Sequence, residues 1–311
     1  MPGPWHAGEI ALQTAAGVAT RMAEIGPRVL RDHLTDQHRD FYPQLPFVVL
    51  GAVDPAGAVW ATVRAGRPGF ARALDAHHLH LALPREIDDP AEAGMPEGAA
   101  IALLGIELPS RRRNRLNGRL VRTSGGLDIA VDQSFGNCPK YIQVRNPRFV
   151  RDPSLPAAHP PEVLPGLDDG ARSQVVNADT FFVASYADTD SGRQVDVSHR
   201  GGAAGFVRVG MDEALTIPDF AGNFFFNTLG NFAVNPKAGL VFPDFTTGDL
   251  LQMSGEVELD PSPPKAYAAA LRTWRFQPRR IVRRRDALPL RAVLDEWSPH
   301  TLAAGAWPDP T

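Results

Sequence analysis

A chain of 311 residues, 43% hydrophobic and 22% charged, is long enough for one large or two ordinary domains, each with a sizeable core. Its formal net charge of -3, from 32 basic and 35 acidic residues, excludes a general attraction to nucleic acid or an anionic membrane, so any anion site has to be local. A single cysteine, Cys138, excludes an intrachain disulfide. With no charged-then-apolar leader and no apolar run near the ~20 residues that span a bilayer, the expected compartment is the cytoplasm.

From Gly8 to about Arg31, small and apolar residues recur at helical spacing, and Ile10, Ala11, Thr14 and Val18 are expected on one face of a helical arm. Apolar Leu45 to Leu50, the turn Asp54-Pro55-Ala56-Gly57 and then Val59 to Val63 read as a β-hairpin. His77, His78 and His80 alternate with Leu79 and Leu81, the pattern of a strand with an exposed imidazole face rather than a metal site. Pro153 to Pro165 holds five prolines and reads as a stiff linker or an extended wrap. Pro261 to Pro264 breaks the chain before an Ala-rich segment, Ala266 to Trp274, expected to be helical, and an Arg-rich strand follows at Ile281 to Arg285.

An internal repeat organises these elements. Residues 47–72 and 182–208 both run as apolar strand, Asp/Gly turn, second strand and Gly-rich loop, then Gly-Phe with an Arg two residues later. Phe47 matches Phe182 and Gly57 matches Gly192 at an offset of 135, and Arg115-Leu116-Asn117-Gly118 matches Gln252-Met253-Ser254-Gly255 at 137. The expected division is an arm over 1–40, a first repeat over 41–150, a linker over 151–178 and a second repeat over 179–311.

No nucleophile elbow, Cys/His pair or Walker loop is present. The second repeat instead clusters glycines and hydrogen-bonding side chains at its strand ends: Asp196 to Gly202, then Pro218 to Asn223, then Asn227, Thr228 and Asn231. Singly, these are ordinary turn and cap residues.

Jointly and in this order, the Ser-His-Arg-Gly-Gly loop, the Gly-Phe-Val-Arg strand, the Pro-Asp-x-x-Gly-Asn turn and the Asn-Thr-Leu-Gly-Asn helix resemble the pyridoxamine 5'-phosphate oxidase-like FMN-binding family. Residues 111–118 and the segment 134–143 resemble its longer, duplicated members, so the likeness covers nearly the whole chain.

The resemblance implies a mostly β (α+β) fold of two tandem split β-barrel domains with the helical arm, and an FMN-dependent oxidoreductase acting on a small molecule. It implies a cofactor site at Asp196, Ser198, His199, Arg200, Arg208, Asp219, Asn223, Asn227, Thr228 and Asn231, with Lys140 and Tyr141 reaching in from the first repeat. Gly222-Asn223 would open the helix through Asn227, placing a phosphate at its positive end, with Arg200 or Arg208 neutralising it.

Split barrels also hold haem or deazaflavins. The alternatives are therefore a non-catalytic flavin- or haem-binding module, with His199 as axial ligand, or a structural dimer with a vestigial pocket. No metal, nucleic-acid or membrane site is expected; the two repeats would form an intrachain pseudo-dimer, or two chains a homodimer. The arginine runs 111–113 and 283–285 are expected to be solvated strand ends or ion-paired.

Overall fold

The computed structural model describes residues 3–260, 262, 267 and 269–307. Three helices open the chain: α1 (Ala7–Ala15), α2 (Ala19–Val29) and α3 (Asp36–Phe41). The first sheet contains β1 (Phe47–Val53), β2 (Val59–Ala65), β3 (Ala71–Ala73), β4 (His78–Leu81), β5 (Ala100–Glu107), β6 (Arg112–Thr123) and β7 (Gly126–Gly136). A connecting stretch carries β8 (Val144–Arg145), β9 (Arg148–Phe149), β10 (Glu162–Leu164) and α4 (Asp169–Asn177).

The second sheet contains β11 (Thr180–Thr189), β12 (Gly192–Gly201), β13 (Arg208–Val209), β14 (Leu215–Phe220), β15 (Lys237–Pro243), β16 (Leu250–Asp260) and β17 (Ala270–Arg284), with α5 (Asn227–Val234) between β14 and β15. β18 (Leu290–Arg291), β19 (Leu294–Glu296) and α6 (Pro299–Ala304) follow.

The chain is thus mostly β, in two successive antiparallel sheets, as expected. The first sheet runs β2-β1-β5-β6-β7-β4-β3 and the second β12-β11-β15-β16-β17-β14-β13, the same order with every number raised by ten. β10 pairs with β17 and makes the second sheet eight-stranded, so part of the Pro-rich linker is a strand.

Apolar side chains explain how the sheets meet. Along β1, Val48, Leu50 and Ala52 enter the first sheet's own core, while Phe47 and Val49 enter a shared one. Along β11, Phe181 and Val183 pack in the second sheet's core, while Phe182, Ala184 and Tyr186 meet Val49 and Ala61 in the shared core. Successive strand residues point to opposite faces, so a strand buried on both sides reads as a continuous apolar run.

Four sequence expectations need correction. The N-terminal arm is two helices, broken at Gly17 (φ 70°), and the face that α1 buries is Gly8, Glu9 and Gln13, while Ile10, Ala11 and Thr14 are exposed. α1 lies against α5 so closely that a side-chain carbon added to Gly8 would stand 2.1 Å from the Gly230 carbonyl oxygen. Polar residues face inward there because Glu9 bonds to Asn227 of α5 and Gln13 to the Phe225 carbonyl just before it, which hydrophobic periodicity does not register.

The expected helix at Ala266–Trp274 is instead, over its described part from Ala270, the start of β17; Ala266 and Ala268 lie outside the described residues. Trp274 pairs with Ile217 on one side and Leu259 on the other, and this ladder overrides the helix preference of alanine.

The repeat offset also changes. Gly66 and Gly202 make the same tight turn, each with its α-carbon pressed against a phenylalanine, Phe70 or Phe206; 202 - 66 and 206 - 70 both give 136. Phe47 faces Ala65, but Thr180 faces the equivalent Gly201, so Phe47 corresponds to Thr180 and not to Phe182. The second hairpin is the longer one, closing over only residues 190 and 191 where the first leaves 54–58 as its loop. Fourth, Gly222-Asn223 does not open the helix: α5 begins at Asn227, after Phe226.

Candidate functional site

Phe224 and Phe226 are both left-handed (φ 62° and 63°), a conformation that costs a bulky residue about 1 kcal/mol or more. The strained turn brings the N-terminus of α5 onto an open cleft with a cavity volume of about 90 Å³. Ser198, His199 and Arg200 of β12, Asp219 and Phe220 of β14, Asn223 of the turn, and Asn227 and Thr228 of α5 line it. From the first sheet, Arg115 of β6 joins them. No side chain caps α5, so its first amides have no side-chain capping partner.

Beneath the cleft is a buried polar network. Arg115 donates to Ser198 Oγ and, at 3.1 Å, to Asn227 Oδ1, and stands 3.6 Å from Asp196. Ser198 shares a 2.8 Å hydroxyl bond with Thr228. Asp196 accepts from Asn117 (2.8 Å) and Asn231 (3.0 Å), and Asn231 also donates to Ser185 and meets His6 at 2.9 Å. Asn227 donates to Glu9, whose other carboxylate oxygen accepts the His6 amide in a helix capping box. The network therefore ties the arm, β6 and β12 to α5.

Burial, reinforced by the charge of Asp196, raises Glu9 to about 8, so it is mostly protonated at neutral pH. Burial, with Arg113, Arg200 and Arg145 nearby, drives His199 well below its ordinary value and keeps it neutral. Burial, then the charge of Arg115 and more weakly that of Arg200, lowers Arg113 to about 9. Burial lowers Arg115 to about 10, opposed by Asp196; both arginines remain charged at pH 7.

Asp219 is held at 2.8 Å by Arg200 and approached at 3.6 Å by Arg272, which lies over the Phe226 ring. Three arginines, Arg115, Arg200 and Arg272, thus stand against two carboxylates, Asp196 and Asp219, a formal excess of one positive charge. The Nε atoms of Arg115 and Arg200 and Nε2 of His199 are buried with no hydrogen-bond partner among the described residues. The arrangement is suited to an anion, and Phe220, Phe224 and Phe226 line the same cleft.

Ser198, His199, Arg200, Asp219, Asn223, Asn227 and Thr228 thus come together at the cleft. Asp196 and Asn231 are placed beneath it, in the network. Arg208 is elsewhere, over the Trp307 ring, 4.6 Å from its centre. Tyr141 reaches the rim: its ring tilts over Phe220 at 5.1 Å and its hydroxyl donates to the Ala221 carbonyl. Lys140 does not line the cleft.

Sequence reasoning missed His6, Glu9, Arg113, Arg115, Asn117 and Arg272 as members of this region. Only His6-x-x-Glu9 carries a local signal, the spacing of a capping box ahead of a helix. Among the described residues, no three His, Cys, Asp or Glu side chains cluster as metal ligands, and no helix is long and apolar enough to cross a membrane.

A scan against protein-family models and a search of curated proteins return no match. Among solved structures, the chain is similar to a "putative pyridoxamine 5'-phosphate oxidase" from Lactobacillus delbrueckii, at 17% identity and a TM-score of 0.28, over 34% of this chain and 95% of that one. It is similar to HutZ, the heme storage protein from Vibrio cholerae, at 12% identity and a TM-score of 0.27, over 39% and 95%. It is also similar to HupZ from Group A Streptococcus, at 12% identity and 0.28, over 42% and 98%. The fold described above rests on the strand order and registers of this chain.

Proposed function

We propose that the cleft holds the phosphate end of FMN and that the chain is an FMN-dependent oxidoreductase acting on a small molecule. The observation that carries this reading is the formal excess of positive charge, Arg115, Arg200 and Arg272 against Asp196 and Asp219, beside a helix N-terminus with no side-chain cap in an open cleft. Arg200, Arg115 and the first amides of α5 would hold the phosphate, Asn223 and Asn227 would offer amide contacts, and the phenylalanines would flank the ring. Bound flavin would supply hydride or electron transfer; the protein's part is to bind it, orient it and limit water.

The test is an FMN titration followed by flavin fluorescence and melting temperature. Wild type is expected to bind and gain stability, and an Arg200→Ala/Asn223→Ala double variant to bind at least about tenfold more weakly, one charge-assisted hydrogen bond being worth ~1.5–3 kcal/mol. Unchanged affinity in the double variant rejects the site.

One observation favours a second reading, haem binding: the buried, neutral His199 has an unpartnered Nε2 at the cleft wall. Reconstitution with haem then gives a Soret band that His199→Ala abolishes.

A further inference from the structure

Glu9 stands one hydrogen bond behind the cleft. It accepts from the side chain of Asn227, the first residue of α5, which lines the cleft and itself accepts from Arg115 at 3.1 Å. The helices are fitted for this contact: α1 meets α5 through Gly8 and Gly230, and a side-chain carbon added to Gly230 would stand 2.6 Å from Glu9 Cγ. On either side of Glu9, the Trp5 ring lies 5.1 Å from that of Phe225 and Gln13 donates to the Phe225 carbonyl. The arm thus braces the strained turn as well as the start of α5.

Glu9 is 4% exposed and is the one ionisable side chain of α1; α5 has none. The charges that act on it are Asp196 on β12, which disfavours its ionisation, and Arg115 on β6, which favours it. His6 is kept neutral by burial; its Nδ1 accepts the Gly8 amide, so Nε2 carries the hydrogen that Asn231 receives. Arg115 therefore serves two buried acids, Asp196 at 3.6 Å and Glu9 through Asn227. One cation does not balance both, and the cost of a second buried charge keeps the proton on Glu9.

That proton decides the charge of the cleft. While Glu9 is neutral, Arg115, Arg200 and Arg272 exceed Asp196 and Asp219 by one. Once Glu9 ionises the excess is gone, and the new negative charge lies against the residue that opens α5, the helix end that favours an anion.

We infer that Glu9 is a positioning residue of the cleft that must hold its proton for an anion to bind, so that anion binding draws a proton from solvent onto any Glu9 already ionised. The inference rests on the reading of this cleft as an anion site and adds its regulation: the anion is held at neutral pH and released as the pH rises.

The test is an FMN titration of the full chain by flavin fluorescence at pH 7 and pH 9, beside Glu9→Gln, which keeps an oxygen for Asn227 and does not ionise. The protonated fraction of a group at about 8 falls about tenfold between these pH values, so wild-type affinity should fall about tenfold more than that of the variant. Arg113, lowered to about 9, titrates in both proteins and drops out of the difference. A purely structural role for Glu9 would change affinity by the same factor at both pH values. Calorimetry at pH 8.5 in two buffers of different ionisation enthalpy should show wild type taking up at least about half a proton per FMN, a readout that stands even if the variant does not fold.

Parallel pH curves for wild type and Glu9→Gln, or FMN binding without proton uptake, overturn the inference and leave the FMN reading standing. A chain that ignores FMN but is stabilised by sulfate, more at pH 7 than at pH 9 and without that difference in Glu9→Gln, supports the inference and rejects the FMN reading alone. No stabilisation by either anion at either pH overturns both.

Discussion

The two sheets contain equivalent crevices with opposite contents. At the offset of 136, Thr62 and Arg64 of β2 stand where Ser198 and Arg200 stand on β12, and each crevice is completed by a strand of the other sheet: Gln252 of β16 in the first, Arg115 of β6 in the second. In the first, the segment 84–92 folds in. Asp89 accepts from Thr62 and from Gln252 (3.0 Å) and pairs with Arg284 (3.1 Å), while Glu86 and Glu92 pair with Arg64 (2.9 and 3.5 Å). In the second, the segment that follows β14 is the aromatic turn and α5, which brings no carboxylate. The same strand framework therefore gives a crevice plugged by its own acids in one place and a net-positive open cleft in the other.

The sharpest break of that comparison is Arg64→Ala against Arg200→Ala. Arg64 is 1% exposed and serves buried carboxylates, so its loss should cost ~3–5 kcal/mol in urea unfolding. Arg200, whose side chain is 21% exposed, pairs with Asp219 near solvent, and its loss should cost less than about 1 kcal/mol. Equal costs would mean that the second crevice is as fully plugged as the first.

The crevices should also respond to pH with opposite sign. Burial pushes Asp89 up, but Arg284, Arg64 and its two hydrogen bonds hold it below the usual carboxylate range. Its contribution is present above the unfolded value of 3.8 and is lost as pH falls further. Glu9 sits at about 8 against 4.5 unfolded, so the folded state holds the extra proton and stability declines as pH rises from 4.5 to 8. In Glu9→Gln, the stability–pH curve should flatten over that window by an amount on the order of a few kcal/mol. An unaltered slope would remove Glu9 as its source.

The smallest expected difference tests the equivalence itself. Gly66→Ala and Gly202→Ala each drive a methyl into a phenylalanine ring, 2.4 Å from its nearest carbon, and should cost similar amounts, ~1–3 kcal/mol each. Thermal melts that differ widely between the two would show that the matched turns do not carry matched packing.

Much of the cleft at Ser198, Asn223 and Asn227 was legible because its members sit close in sequence, in a loop, a turn and a helix start whose glycines and amides have few other uses in combination. Arg115 was not, since nothing local on β6 distinguishes an arginine that crosses to the other sheet from one facing water. Glu9 was not, because a carboxylate on a helix reads as a solvated face until α5 is seen against it. Ala270–Trp274 misled in the other direction, offering helix-forming residues to a place where β14 and β16 left a strand-shaped gap.

By itself the sequence determined the class of fold, the hairpins and the Gly-x-x-Gly-Phe turns, because pleat periodicity and positive-φ glycines are local properties of the chain. Which crevice closed and which stayed open was decided only by tertiary structure. Charge balance in a crevice depends on residues more than a hundred positions apart, and whether an arginine is neutralised or free is settled by what packs beside it, not by its neighbours in the chain.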